Sequence, residues 1–171
     1  MMIRSAILLT SAWLCFGTAA LAQDSTPEAI GTFGDWQAYS YTGKDGKVCF
    51  VMSAPKDTKP DNVKRDPANF LVTHRPKQNV TSEISVIIGY TFKEGGPVVV
   101  EVEGQSFTLN PSGDGAWAQT AADDRKIVAS LKKGTTMLVK GTSWRGTVTS
   151  DTYSLTGISA AMDKIDEACK P

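Results

Sequence analysis

The sequence predicts a mainly β protein, an antiparallel β-sandwich or barrel-like sheet with two short α-helices at about residues 122–133 and 157–169. Roughly eight to nine short segments alternate between apolar and polar residues, as half-buried strands do. Turn residues recur about every 8 to 12 positions, which is typical of sandwiches and barrels. Because the segments alternate instead of being apolar throughout, a parallel sheet covered on both faces is disfavoured.

The first 22 residues have the pattern of a secretory signal peptide. Arg4 supplies the positive charge, an apolar run extends from Ala6 to about Phe16, and Ala20-Leu21-Ala22 has the small residues of a cleavage site. That run is shorter than the roughly 20 residues that span a bilayer. We therefore expect residues 1–22 to be cleaved and 23–171 to form a single β-sandwich domain, periplasmic or secreted, with no membrane span.

The first part of this domain holds the strands that are easiest to delimit. After a short leader at 23–30, strands are expected at 36–41, 47–54, 69–75 and 83–92. Gly34-Asp35 and Asp45-Gly46 are turn signals before the first two. The stretch 55–67 holds three prolines and dense mixed charge, which predicts an exposed loop. In the strand at 83–92 only Ile87 breaks the alternation.

The second part of the domain mixes strands with the two helices. Strands are expected at 98–104, 105–109, 116–120, 136–146 and 147–155. In the first helix Asp123 and Asp124 lie at the positive end of the helix dipole and Gly134 at the stop position. The second helix has one apolar stripe, made of Ile158, Ala161, Met162, Ile165, Ala168 and Cys169.

Net charge gives no reason to expect a polyanionic partner. The chain holds 18 basic and 18 acidic residues, and loss of the signal peptide with Arg4 leaves 17 basic residues against 18 acidic ones. Nucleic acids and anionic membranes are bound by clustered basic faces, which this composition does not supply. We therefore expect no nucleic-acid partner.

Two cysteines remain after signal cleavage, Cys49 and Cys169. An isolated pair in an oxidising compartment is normally bridged, so a long-range disulfide is the favoured interpretation. A redox-active pair is less favoured because the CxxC spacing is absent. A metal site is less favoured still, since two thiols and one histidine fall short of the usual zinc ligands.

Catalytic and cofactor motifs point to no reaction. His74 is the only histidine, so an alternative function as a periplasmic hydrolase or isomerase must use it. That alternative predicts a concave site with a carboxylate or hydroxyl within hydrogen-bonding reach of His74. The GxSxG, GxGxxG and GxxxxGK[ST] patterns are all absent, and we expect no catalytic residue, metal or cofactor. Asp123 and Asp124 diverge on a helix, so they do not converge on one substrate.

Aromatic residues are the best candidates for a binding surface. They are Trp36, Trp117, Trp144, Tyr39, Tyr41 and Tyr153. Most of them are expected to fill the core, which takes several large rings in a sandwich. The candidate surface is Trp36 with Tyr39 and Tyr41, and the two tyrosines lie opposite Trp36 if that ring faces inward. The charged loop 55–67 is a second possible contact surface.

Several segments together resemble the invasion-associated locus B family of bacterial exported proteins. GTFGDWQAYSY is similar to the family's F-G-D-W segment, and KVCFVMS to the strand that follows it. VVVEVEGQSF, GAWAQT and LKKGTTMLVK resemble its central segments, and YSLTGISAAMDKI its closing S-L-x-G segment. The chain departs from the family pattern at Tyr39-Ser40 and at Gly115-Ala116, where members often carry further cysteines.

The resemblance implies an exported, mostly β envelope protein or secreted protein without a known catalytic site. We therefore expect a non-enzymatic binding or envelope-associated module. Its partner would be an envelope or extracellular component, either protein or glycan, at the cell surface or in contact with a host.

Overall fold

The computed structural model describes residues 26–170 of the chain. The expected signal peptide, 1–22, lies outside the described residues. The strands are β1 Glu28–Phe33, β2 Trp36–Gly43, β3 Gly46–Ser53, β4 Asp57–Lys59, β5 Asn69–Arg75, β6 Val80–Ile87, β7 Val98–Val102, β8 Gln105–Ser112, β9 Gly115–Trp117, β10 Thr136–Thr142 and β11 Val148–Ser154. The helices are α1 Ala121–Leu131 and α2 Ile158–Ala168, with a 3₁₀ turn at Pro76–Gln78.

The prediction of a mainly β, antiparallel protein with two short helices is confirmed. Within residues 26–170 the strands form one open sheet, in the order β1-β2-β3-β5-β6-β9-β8-β7-β10-β11-β4. The first part of β8 pairs with β7 and its last part, Asn110–Ser112, pairs with β9. β8 therefore joins a first half of the sheet, β1-β2-β3-β5-β6-β9, to a second half, β7-β10-β11-β4.

The core lies between these two halves. The ring of Phe70 on β5 meets the ring of Tyr153 on β11 edge to face, with centroids 6.1 Å apart. Trp36 on β2 packs against Phe70 in the same way, at 6.2 Å. All three side chains are fully buried. Edge-to-face packing of large rings is a favourable arrangement in cores, and here it holds the first half against the second.

Both helices pack on this core through one face. In α2 the buried residues are Ile158, Ala161, Met162 and Ile165, as the apolar stripe predicts. In α1 the Thr120 side chain accepts a hydrogen bond from the Asp123 N–H and caps the helix. The disulfide joins Cys49 on β3 to Cys169, directly after α2, with Cα atoms 6.0 Å apart. No helix in residues 26–170 is long and apolar enough to cross a membrane.

The F-G-D-W and S-L-x-G segments lie against each other. The Asp35 N–H donates to the Thr156 carbonyl at 3.0 Å, and the Trp36 indole N–H donates to the Ser154 carbonyl at 3.0 Å. Gly157 has a φ of 93°, and a Cβ there would clash with the Phe33 carbonyl oxygen. Only glycine accommodates both that conformation and that contact. The start of β2 is thus fastened to the end of β11.

Three strand predictions differ from the structure. β1 begins within the stretch 23–30 that we expected to be a leader, and β4 lies in the stretch 55–67 that we expected to be an exposed loop. The fourth predicted strand also ends at Ile87 instead of continuing to Phe92. β4 forms because it pairs with β11, far away in the sequence, over three residues. Composition favours a loop there, and the distant pairing overrides it.

Candidate functional site

The sequence-predicted surface residues fall on two sides of β2. Trp36 is fully buried, so the prediction that it contributes to an exposed surface is wrong. It faces inward because it fills the core between the two halves of the sheet. Tyr39 and Tyr41 are half-buried and lie on the opposite side of the strand, since side chains alternate along β2.

Strand register extends the surface of Tyr39 and Tyr41 across the first half of the sheet. Tyr39 pairs with Phe50 and Tyr41 with Val48, and residues that pair directly share one face. Met52 pairs with Leu71, Leu71 with Ser85, and Ser85 with Trp117, which carries the face to β9. The apolar residues of this outer apolar face are Tyr39, Tyr41, Val48, Phe50, Met52, Leu71, Ile87 and Trp117.

The outer apolar face is separate from the core. All of its members are half-buried, and none belongs to the core cluster or to the side chains packed against it. The rings of Tyr39 and Phe50 stack at 5.1 Å with 16° between their planes, and the Tyr39 hydroxyl lies 2.5 Å from Gln37 Oε1. The Trp117 ring lies over Gly115, where a Cβ would clash with it. These contacts hold the side chains in place while water still reaches them.

The outer face of the second half has a different composition. Its outward positions on β4, β7, β10 and β11 are mostly threonine, serine and charged residues, including the ion pair between Lys140 and Glu101. Leu138, Val99 and Val148 are the apolar exceptions. Such composition is ordinary for a sheet face in water. One sheet therefore has two outer faces of contrasting polarity, and the apolar one is unusual for a solvated surface.

Most members of the outer apolar face were missed by sequence reasoning. The signal that could have found them is the run of consecutive apolar residues 48–52 in β3, together with 70–72 in β5. A strand with apolar residues on both faces is typically covered on both sides. Ile87, which breaks the alternation of its strand, is a third instance of the same signal.

The single histidine is buried where the sheet meets α2. His74 on β5 is 4% exposed and pairs directly with Cys49 across the sheet. Its Nε2 atom is 2.8 Å from Oδ1 of Asp166 on α2. A pocket of about 290 Å³ opens beside it, lined in part by Asn79, Thr81, Asp166 and Cys169. The concave site and the nearby carboxylate that the hydrolase or isomerase alternative requires are therefore present.

Both ring nitrogens of His74 are nevertheless engaged by the protein. The Ser82 N–H donates to Nδ1 at 2.8 Å, so we assign the ring proton to Nε2, which donates to Asp166. Ser82 has a φ of 60°, at an irregularity between β5 and β6 that turns its N–H toward the ring. A general base needs an unoccupied nitrogen that faces substrate. In this arrangement His74 links β5 to β6 and α2.

Other features of the described chain suggest no competing site. Within residues 26–170, no group of three or more His, Cys, Asp or Glu side chains is placed to hold a metal ion. A groove of about 710 Å³ lies between α1 and the β7–β8 hairpin, and Ser130 and Gln105 in it bond to each other. Trp144 is 62% exposed in the β10–β11 turn, with the Arg145 guanidinium 4.8 Å from its ring centre.

Asp124 is a structural residue that the helix-dipole interpretation only partly explains. It is buried, and its Oδ1 accepts a hydrogen bond from the Ile84 N–H at 2.8 Å, which fixes α1 to β6. Burial raises the pKa of this carboxyl, and the Ile84 N–H opposes the shift. Asp123 instead faces outward and pairs with Lys126, so the two carboxyls diverge as expected.

Comparison with known proteins agrees with the resemblance seen in the sequence. The model of the invasion associated locus B (IalB) protein family matches residues 36–166. The structure is similar to the crystal structure of invasion associated protein b from Bartonella henselae, with a TM-score of 0.59 and 18% sequence identity. That match covers 86% of this chain and 100% of the Bartonella chain. A search of the curated proteins found no match. Because the family model covers most of the sequence, this chain belongs to the invasion associated locus B (IalB) protein family.

Proposed function

We propose that this protein is an exported, non-enzymatic binding module that contacts an envelope or extracellular component through its outer apolar face. The observation that carries the proposal is the contrast between the two outer faces of one sheet. Both face water in the isolated chain, yet only the first half presents a set of aromatic and aliphatic side chains that extends over five strands, with polar residues such as Thr73 and Ser85 among them. Contiguous apolar patches on a protein surface mark interaction sites.

Export is supported by two features of the chain. The N-terminal residues have the charge and apolar pattern of a signal peptide. The Cys49–Cys169 disulfide requires an oxidising compartment to persist, such as the periplasm or the exterior of the cell. A binding role at the cell surface is consistent with both.

The non-enzymatic part of the proposal depends on His74. A hydrolase or isomerase using this residue would have to break its bond to Ser82 or its bond to Asp166 before a nitrogen became available. Breaking the bond from the half-buried Ser82 N–H would forfeit a hydrogen bond worth about 0.5–1.5 kcal/mol. We therefore assign His74 a structural role.

The test compares capture of envelope material by matched variants. Immobilised protein is exposed to separate envelope-protein, peptidoglycan and lipopolysaccharide fractions, with retained material quantified by mass spectrometry and sugar analysis. Tyr39→Thr/Phe50→Thr removes two rings from the outer apolar face while keeping residues that favour strands. Leu138→Thr is the matched control on the other outer face. We expect the double variant to lose at least about tenfold of the capture, roughly 1.4 kcal/mol, and the control to retain it.

Two results would contradict the proposal. One is capture by the double variant at the level of the unmodified protein. The other is the absence of any retained component in all three fractions.

A further inference from the structure

We propose that a second copy of this chain covers the outer apolar face, in a dimer with two-fold symmetry. This inference rests on the proposed function, since it names the first partner of the same face. The dimer would keep the apolar side chains out of water until an envelope component of higher affinity replaces the second copy.

The first step concerns the side chains of the outer apolar face, which determine what kind of surface can pack against it. One face of the Tyr39 ring packs against one face of the Phe50 ring, and the Trp117 ring packs against Gly115. Between these rings lie the aliphatic side chains of Met52 and Leu71. A surface of this kind packs well against another apolar protein surface, where the gain comes from the area removed from water.

The second step is the distribution of charge at the two ends of the face. At each end of the outer apolar face one ion pair is already formed. Arg75 Nη2 lies 2.6 Å from Glu83 Oε2 at one end, and Lys56 Nζ lies 2.5 Å from Asp35 Oδ1 at the other. The remaining charges differ in sign. Lys77 is exposed at the end where β3 begins and β5 ends, and it forms no ion pair with another residue in 26–170. The Lys77 stem lies over Gly46, on the outer side of β3.

Carboxylates occupy the opposite end. Asp114 immediately precedes β9 and Asp66 precedes β5, both exposed and neither ion-paired within the described part of the chain. Lys44 and Asp45, adjacent in the β2–β3 turn, contribute opposite charges to the basic end.

The third step is symmetry. A two-fold axis that lies in the plane of the interface, parallel to the sheet and across its strands, brings one face onto a copy of itself and exchanges the ends of the strands. Lys77 at the basic end of one copy then meets the acidic end of the other, twice, while the apolar centres meet each other. The face is therefore complementary to itself in charge as well as in polarity, which favours this register over others.

The fourth step is that the edges of the sheet are poorly suited to association. β1 carries an irregularity between Ala29 and Gly31, and β4 is three residues long. Short or bulged edge strands discourage pairing with another chain. Self-association through the face does not need either edge.

Sedimentation equilibrium of the purified protein tests the dimer without any envelope material. We expect a monomer–dimer equilibrium, abolished by Phe50→Glu and unaffected by Leu138→Glu on the other outer face. Lys77→Glu should weaken the dimer by about tenfold, since it affects two symmetric contacts. Combining Lys77→Glu with Asp114→Lys should restore it to within about threefold, because the reversed charges meet again across the axis. Thermal melts establish that each variant is folded.

A monomer at every concentration would overturn the dimer and leave the envelope-capture test, and with it the proposed function, unaffected. A dimer that Phe50→Glu and Leu138→Glu weaken equally, or not at all, would place the interface elsewhere. If Phe50→Glu does not fold, the exposed pair Lys77→Glu and Asp114→Lys decides the question, and failure of the double reversal to restore association would overturn the proposed register.

Discussion

At the residue scale, the polar side chains inside the protein differ in whether they have partners. His74 and Asp124 each accept a backbone N–H, from Ser82 and Ile84 respectively. The Tyr153 hydroxyl, by contrast, has no hydrogen-bond partner among the described residues. Burial, and then the negative charge of Asp151, raise the pKa of that phenol. An unpaired buried hydroxyl is a cost that the aromatic packing of Tyr153 must offset.

Tyr153→Phe is therefore expected to stabilise the protein, by about 1 kcal/mol at neutral pH. The unfolded chain loses the phenol proton near pH ~10 while the folded chain keeps it, so wild-type stability falls as pH rises above that value. The Phe variant should lose less over that range. Tyr90→Phe is the control, since its hydroxyl bonds Thr149 Oγ1 at 2.6 Å and its loss should cost about 1 kcal/mol.

Urea denaturation at pH 7 and thermal melts from neutral to alkaline pH measure both effects. A clear loss of stability in Tyr153→Phe at pH 7 would show that the hydroxyl makes an interaction absent from this structure.

At the element scale, sequence patterns predicted the elements whose stability is local. Both helices lie within a few residues of their expected positions, because the apolar stripe of α2 and the end signals of α1, Asp123-Asp124 and Gly134, are properties of residues close in the chain. The β2–β3 hairpin follows from Asp45-Gly46 in the same way. β1 and β4 could not be found, since each exists only through its partner strand. The burial of Trp36 also depends on the opposite half of the sheet.

The attachment of α2 to β3 is the element-scale contact that is simplest to test. The Cys49–Cys169 bridge closes a loop with a sequence separation of 120 residues. The chain-entropy model assigns about 4–5 kcal/mol to a loop of that length, an upper estimate in practice. Cys169→Ser should lower the melting temperature by several degrees, and dithiothreitol should lower that of the unmodified protein similarly.

The control is Cys49→Ser/Cys169→Ser, whose melting temperature should not respond to dithiothreitol. Thiol titration of the unfolded, unreduced protein should find essentially no free thiol in the mature chain. One free thiol per cysteine, or a reductant effect on the double variant, would contradict a stabilising bridge.

At the scale of the whole molecule, the order of the strands was beyond local sequence analysis. β9 lies between β6 and β8, and β4 beside β11, so neighbours in the sheet are distant in the chain. The outer apolar face can be recognised only once this order is known, because its members come from five strands of the first half, β2, β3, β5, β6 and β9. The tyrosines of β2 were predictable from their alternation with Trp36, and the remaining members were not.

The contact between the two halves of the sheet includes a buried ion pair. Arg65, between β4 and β5, pairs with Asp151 on β11, and their side chains are 8% and 0% exposed. Arg65 also donates to the Ile88 carbonyl at 2.9 Å, beyond the end of β6. A segment with the composition of a solvated loop is therefore anchored inside the protein by one side chain. Replacing one member of such a pair leaves an uncompensated buried charge, which is far more costly than losing an exposed pair.

Arg65→Met is expected to cost about 3–5 kcal/mol, because it leaves Asp151 charged and buried. Arg65→Met/Asp151→Leu should recover most of that loss, since an apolar pair of similar volume leaves no uncompensated buried charge. Lys59→Met, at the end of β4, breaks the exposed pair with Asp61 in the segment that follows and should cost less than about 1 kcal/mol. Guanidinium denaturation followed by tryptophan fluorescence gives the three values and their coupling. Equal costs for Arg65→Met and Lys59→Met, or additive losses in the double variant, would mean that the ion pair does not hold the two halves together.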